Sequence, residues 1–478
     1  AASLVCLSGR VSLSLHKVRV NGKILRRRNP QTIIYAMNKI KEILKIGVPI
    51  MLGQACVIIL AFADNIMIGW HSVNELAASS FVNNIMNLFI MTELGFATGM
   101  TPVIGAFHGT GNIKGIGSSV KNGIVVNSLI GLLGIVLLTV IYLFIDRFGQ
   151  APELLPYIRT YYIIVGISTI FALGFNVLKQ FTDGICKPVV SMSLLMFGNL
   201  LNIFGNWVLI YGKLGFPELG LTGAGISTLV SRIVMLLFFF IYIFRSKSLE
   251  KYAEAIRSAL LSRVKMRHIF SMGYPVSIQM GLETSTFTFA AIMVGWIGVT
   301  ELAAHQVVIT ISQLFFLMMQ GLSFAISILV SNAYGRKDIS GVRQYAGKGY
   351  LMIISISVVL SVLLYTFRWQ AAGVFTDSQE VASVAVSLFF VLFAYQFGDG
   401  LQICFANVLR GMQDVKPIMY AAFISYYLIA IPAAFLLGFK AGFGVMGVWM
   451  GFPIGLTMAG LFFLGRYRSD IRKMSAAK

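Results

Sequence analysis

Residues 124–145 read IVVNSLIGLLGIVLLTVIYLFI, a stretch without a charged side chain and long enough to cross the ~30 Å hydrocarbon core of a bilayer as a helix. Similar runs, such as 226–244 and 350–366, recur until twelve can be placed between residues 45 and 465. Hydrocarbon offers no partner to a backbone N–H or C=O, so a chain in it must be a helix or a closed barrel. A barrel needs short segments of alternating polarity, and the sequence has none. Only 12% of the 478 residues are charged, 57% are hydrophobic, and the mean hydropathy is +0.82, too apolar to clothe a soluble protein. The expected fold class is all-α integral membrane, with twelve transmembrane helices.

The formal charge of +20 would suit a nucleic-acid binder, but its distribution excludes that class. The even-numbered connections and the two flanks hold 25 Lys and Arg, whereas the odd connections hold five: Arg147, Arg159, Lys213, Arg368 and Lys440. Basic residues stay on the cytoplasmic side, so both termini are expected there. Cys6, Cys56, Cys186 and Cys404 have neither metal spacing nor a paired extracellular placement, so no zinc site or disulfide is expected. The first 36 residues carry seven Lys/Arg and no acid. That composition fits a transit peptide, but Met37, which opens MNKIKEILKIGVPI, fits a start site, and the latter reading is preferred.

The chain also repeats itself. Residues 67–80 (MIGWHSVNELAASS) and 293–306 (MVGWIGVTELAAHQ) share eight of fourteen positions at an offset of 226. The same offset carries Gly47, Pro49, Gly95 and Gly109 onto Gly273, Pro275, Gly321 and Gly335. With slight drift, DGICKP (183–188) corresponds to RGMQDVKP (410–417). Six spans per half makes the repeats parallel, two lobes facing each other across a central cleft, as alternating access requires. The expected organisation is a tail at 1–36, an N-terminal six-helix lobe at 37–244, a cytoplasmic linker with an amphipathic helix at 245–267, a C-terminal six-helix lobe at 268–470 and a tail at 471–478.

Four acids lie inside apolar spans: Asp64, Glu93, Glu283 and Asp399, with Asp183 at a helix end. Each costs about 2.5–3.5 kcal/mol to insert, which makes it a functional candidate. Arg232 is the one base read at comparable depth, so the acids are expected to bind protons or metal cations or to face water. Oxygen-bearing neighbours could serve a hard cation such as Na⁺ or hydrogen-bond a protonated carboxyl. Asp399 has Tyr395 one turn before it, and Glu283 has Gln279 one turn before it and Thr284, Ser285, Thr286 and Thr288 after it. Asn199, Asn202 and Asn206 share one helix face, either near Asp64 or as interhelical glue. Glu75 and Glu301, next to Trp70 and Trp296, read as loop residues.

FADNIMIGW, LAAHQVV, LKQFTDG, LLNIFGNWVLIYGKLGFPELG and VLRGMQDVKP resemble multidrug and toxic compound extrusion (MATE) transporters of the NorM branch, over roughly residues 40–470. The resemblance implies export of cationic amphiphilic small molecules in antiport with Na⁺ or H⁺, with no other cofactor. By motif, Asp64, Glu283 and Asp399 with Tyr395 match the family's cation-coupling positions, and Na⁺ at Glu283 and Asp399 is an expectation. Asp183 in FTDG matches a family motif, whereas Glu93 matches none. Glu93, Asp183, Gln279, Asn202 and Asn206 stand as secondary candidates. A monomer in a bacterial inner membrane is expected, with no nucleic-acid partner. The rivals are a polar-lipid or lipid-linked oligosaccharide flippase, which would want a cationic cleft, and an intramembrane enzyme, for which HExxH and GxSxG motifs are missing.

Overall fold

The computed structural model describes residues 30–476, with side chains from Asn38 onward, and a two-residue strand pair, Arg19–Val20 against Lys23–Ile24. From Pro30 the chain is a succession of helices. The first half comprises α1 (Pro30–His71), α2 (Val73–Gly109), α3 (Ile113–Leu143), α4 (Pro152–Gly184), α5 (Pro188–Ile210) and α6 (Gly220–Arg245). A short α7 (Glu250–Ser258), with Ala253, Ala255 and Ile256 buried, joins it to the second. That half comprises α8 (Arg263–Gly295), α9 (Val299–Gly335), α10 (Ile339–Thr366), the short α11 (Arg368–Gly373), α12 (Gln379–Gly411), α13 (Lys416–Lys440) and α14 (Gly444–Ala476).

Among the described residues, eleven helices are long and apolar enough to cross a membrane. The twelfth, α8, has 33 residues, about 50 Å of helix, but Gln279, Glu283, Thr284, Ser285, Thr286 and Thr288 interrupt its apolar run. Pro275 removes a backbone hydrogen bond just before those residues. In α13, Pro432 is flanked by π-helical turns at Ile424–Ala430 and Leu436–Lys440, a widening that accommodates the proline ring and re-aims Tyr426 and Tyr427.

The offset of 226 that relates the two halves in sequence also relates their contacts. A Cβ on Gly95 would lie 2.8 Å from the Ser277 Cα, and one on Gly321 would lie 2.9 Å from the Met51 Cα. Likewise Gly109 meets the Asn332 Cα at 2.9 Å and Gly335 meets the Ala106 Cα at 2.8 Å. Subtracting 226 from the second-half residues exchanges the members of each pair, as an approximate twofold axis between parallel repeats demands. Even the caps obey it: Asn112 accepts from Gly115 N at 2.8 Å and Asp338 from Gly341 N at 2.9 Å. Small residues let α1 and α2 approach α9 and α8 backbone to backbone, where no hydrophobic drive exists to press helices together.

Among the described residues, every hydrogen bond between the halves lies at or below mid-membrane, on the side of the chain ends. Gln54 Nε2 donates to Gln320 Oε1 at 3.1 Å and Ser277 Oγ to Thr92 O at 2.7 Å. Further toward the ends, Gln413 reaches Pro102 O at 3.3 Å and Lys39 Nζ donates to Tyr345 OH at 2.7 Å.

Three sequence expectations change. Helix α1 already begins at Pro30, inside the stretch 1–36 assigned to a tail, most of which lies outside the described residues. Helix α14 runs on through Ala476, past the tail expected from 471, because Ile471 is still buried in the core. Glu75 is not a loop residue: only Ser72, with extended backbone, separates α1 from α2, so Glu75 sits in the first turn of α2. There it is buried and meets His71 Nδ1 at 2.8 Å, whose Nε2 meets Glu218 at 2.9 Å. Glu301 is likewise in the first turn of α9.

Candidate functional site

Two clusters of buried and half-buried polar side chains form, one in each half. In the second half, Pro275 opens the stretch of α8 that carries Gln279 and Glu283 one turn apart. Gln279 Nε2 donates to Glu283 Oε2 at 2.8 Å. A Cβ on Gly95 would lie 3.2 Å from the Met280 sulfur, so Met280 borders the seam and half-buried Glu283 stands about one turn beyond it. Helix α12 presents Tyr395, Asp399, Gln402 and Arg410 at helical spacing, hence along one face. Gln402 Nε2 donates to Tyr426 OH of α13 at 2.9 Å and approaches Glu283 Oε2 at 3.5 Å. Asp399 is wholly buried, and neither carboxylate oxygen has a hydrogen-bond partner. Tyr395 is buried against Trp449 and Phe452 and lies within electrostatic reach of both acids.

Arg410 is the residue the sequence reading missed. Counted there among the basic residues of a connection, it is instead buried near the end of α12, 6% exposed. Its guanidinium donates to Gln279 Oε1 and to Asn407 Oδ1, the latter at 3.4 Å. One amide thus bridges Arg410 and Glu283, taking a bond from the first and giving one to the second. The idea that Arg232 is the sole base at depth is therefore corrected. The signal was available: 395, 399, 402 and 410 share a helical face, so Arg410 falls in line with the acid.

In the first half, Asn206 Nδ2 donates to Asp64 Oδ1 at 2.6 Å. Turning the Asn202 amide over lets its nitrogen donate to the same oxygen at 2.9 Å while its oxygen accepts from Thr228. That orientation satisfies both groups. Arg232 donates to Ser168 Oγ at 2.7 Å and interacts electrostatically with Asp64 and Tyr161. Asn199 bonds Cys56 O at 2.6 Å and ties α5 to α1, so the asparagine stripe divides into two tasks.

The other candidates stand apart. Asp183 pairs with Lys179 at 2.7 Å and accepts from Ser191 at 2.8 Å, a satisfied arrangement at a helix end. Glu93 is buried with Oε2 unpartnered, and its Oε1 fills the space a side chain at Gly134 of α3 would take. It joins neither cluster. Among the described residues no three His, Cys, Asp or Glu side chains converge to hold a metal ion.

The MatE family model matches residues 49–208 and 275–436, one match in each half. The chain belongs to the MatE family. Its curated relatives include the multidrug resistance protein NorM of Vibrio cholerae serotype O1, 30% identical over 453 residues that cover 91% of this chain and 98% of that protein. The probable multidrug resistance protein NorM of Xylella fastidiosa is 29% identical over 441 residues, covering 92% and 94%. Among solved structures, a crystal structure of MATE in the bent conformation superposes with a TM-score of 0.84 at 19% identity, covering 94% of this chain and 100% of that one. The eukaryotic MATE transporter AtDTX14 does so at 0.81 and 19%, covering 92% and 98%. This MatE protein therefore has the family's helical membrane fold, and its polar clusters lie within that frame.

Proposed function

We propose that this chain is a secondary active multidrug efflux transporter that exports cationic amphiphilic compounds in antiport with Na⁺ or H⁺. It works as a monomer in a bacterial inner membrane, with both termini cytoplasmic. The observation that carries the reading is Asp399: a buried carboxyl with no hydrogen-bond partner, beside a second acid, Glu283. An ionised carboxylate so placed needs a cation to be tolerated. A cation that leaves on one side of the membrane, and a drug cation that replaces it, turn that need into exchange. The seam joins the halves on the side of the termini, so cytoplasmic termini put the hydrogen-bonded end of the seam on the cytoplasmic side. Coupling is adequate in energy, since one charge crossing 100 mV releases about 2.3 kcal/mol. The excess of acids over bases in the second-half cluster argues against a flippase of anionic lipid headgroups.

The test is ethidium efflux from proteoliposomes under an imposed Na⁺ gradient and, separately, a pH gradient. Accelerated efflux under one of them supports the reading. Equal rates with and without both gradients refute it.

A further inference from the structure

The charges of the two clusters do not sum alike. In the first half one acid, Asp64, faces one base, Arg232. In the second, Glu283 interacts with one base, Arg410, and with a second acid, Asp399, for which no base is in reach. Gln279 relays Arg410 to Glu283 through its own two bonds, and Asp399 is left without a polar partner. The titratable groups that act on Glu283 and Asp399 are each other, Arg410 and Tyr395 from α12, and Tyr426 from α13. Of the other membrane-embedded titratable groups on helices packed against α8, Tyr427 of α13 shares a 2.6 Å hydrogen bond with Ser285, Glu93 of α2 lies against Gly134 of α3, and His305 of α9 meets Trp449 edge to face.

We propose that Arg410 is a built-in counter-ion that sets the charge of the exchanged species at one. Acting through Gln279, it balances Glu283 and leaves the second-half cluster a single charge short of neutral. One monovalent cation at Asp399 completes the balance, whether coupling ion or monocationic drug. Ion and drug compete because each fills the same deficit. The Asp64 cluster has its own base and no such deficit, so the exchange centre is in the second half. Arg410 is here a positioning residue that acts through another side chain. The inference rests on the efflux reading given above.

Ethidium and propidium test it, because they share a ring system and carry one and two positive charges. Their equilibrium binding to the purified full-length chain is measured by fluorescence polarisation, and the ratio of affinities is the readout. Arg410→Gln leaves two uncompensated acids and is expected to shift the ratio toward propidium by at least about tenfold. Arg410→Lys, which keeps the charge, is expected to hold the wild-type ratio. Arg410→Gln combined with Asp399→Asn again leaves one acid and is expected to restore that ratio. A merely structural Arg410 would weaken both dyes together, with no restoration in the double variant. An unshifted ratio in a folded Arg410→Gln, beside a wild type that binds dye, overturns charge matching and spares the efflux reading. A wild type that binds neither dye overturns both. Should Arg410→Gln fail to fold, calorimetry on the wild type decides: one ion released per ethidium bound supports the proposal, and two overturn it.

Discussion

Asp64 in the first half receives a 2.6 Å bond from Asn206, has Asn202 within 2.9 Å and lies near a base of its own. Asp399 in the second half is fully buried, bonded to nothing, and has another acid for a neighbour. The halves descend from one pattern of glycines, prolines and caps, yet their polar interiors have diverged. Hydrogen bonds that satisfy a carboxylate lower its demand for an outside cation, and their lack raises it. The comparison teaches that equal depth in a membrane does not imply equal function. What decides is whether the protein already supplies the partner.

The sharpest break would come from neutralising each acid in turn. Asp399→Asn is expected to lower gradient-driven ethidium efflux by about a hundredfold or more, whereas Asp64→Asn costs about tenfold, since it removes a charge already compensated. Equal losses in the same proteoliposome assay would erase the distinction between the halves. Next in size, Gly105→Cys with Ser331→Cys should form a crosslink once the backbones ease apart by a few tenths of an ångström, since a Cβ on Gly105 would lie 3.1 Å from that of Ser331, just inside the usual disulfide separation. Efflux should stop under oxidation and return with reductant, showing that both clusters depend on the halves parting. Persistent efflux from the oxidised protein would mean that the seam need not open.

A smaller effect is expected for Asn206→Ala, which leaves Asp64 short of a charge-assisted bond. Thermal unfolding in detergent should report a loss of about 1–3 kcal/mol. The matching change Gln402→Ala should cost less, because its contact with Glu283 is 3.5 Å long. The smallest change in transport is expected from Asp183→Asn: Asp183 pairs with Lys179 at a helix end and joins neither cluster, and transport should stay within about twofold of wild type.

The membrane class, the repeat and the four embedded acids were legible because insertion cost and backbone satisfaction act on local sequence. Pairing was not. Arg410 read as a connecting residue because VLRGMQD ends an apolar run, and only the face it shares with Asp399 reveals it as internal. Glu75 read as loop because nothing in MIGWHSVNE announces that one residue, Ser72, suffices to turn the chain. The division among Asn199, Asn202 and Asn206 depends on which helix each meets, and i, i+3 spacing states a face without naming its neighbour. Glu93 shows the converse: sequence marks it as costly, and the fold gives it a glycine niche with no polar company.

The glycine seam has a mechanical consequence. Where Gly99 would place a Cβ 2.8 Å from the Gly273 Cα, the two surfaces meet backbone to backbone, with the Phe96 ring packed beside them. Atom pairs in such a seal contribute only about 0.1–0.2 kcal/mol each. Parting the backbones at that point therefore unlocks few interdigitated side chains, and closing them again offers a single register. A latch of that kind can be worked by energies no larger than one ion's passage down the membrane voltage, and it can be worked many times over.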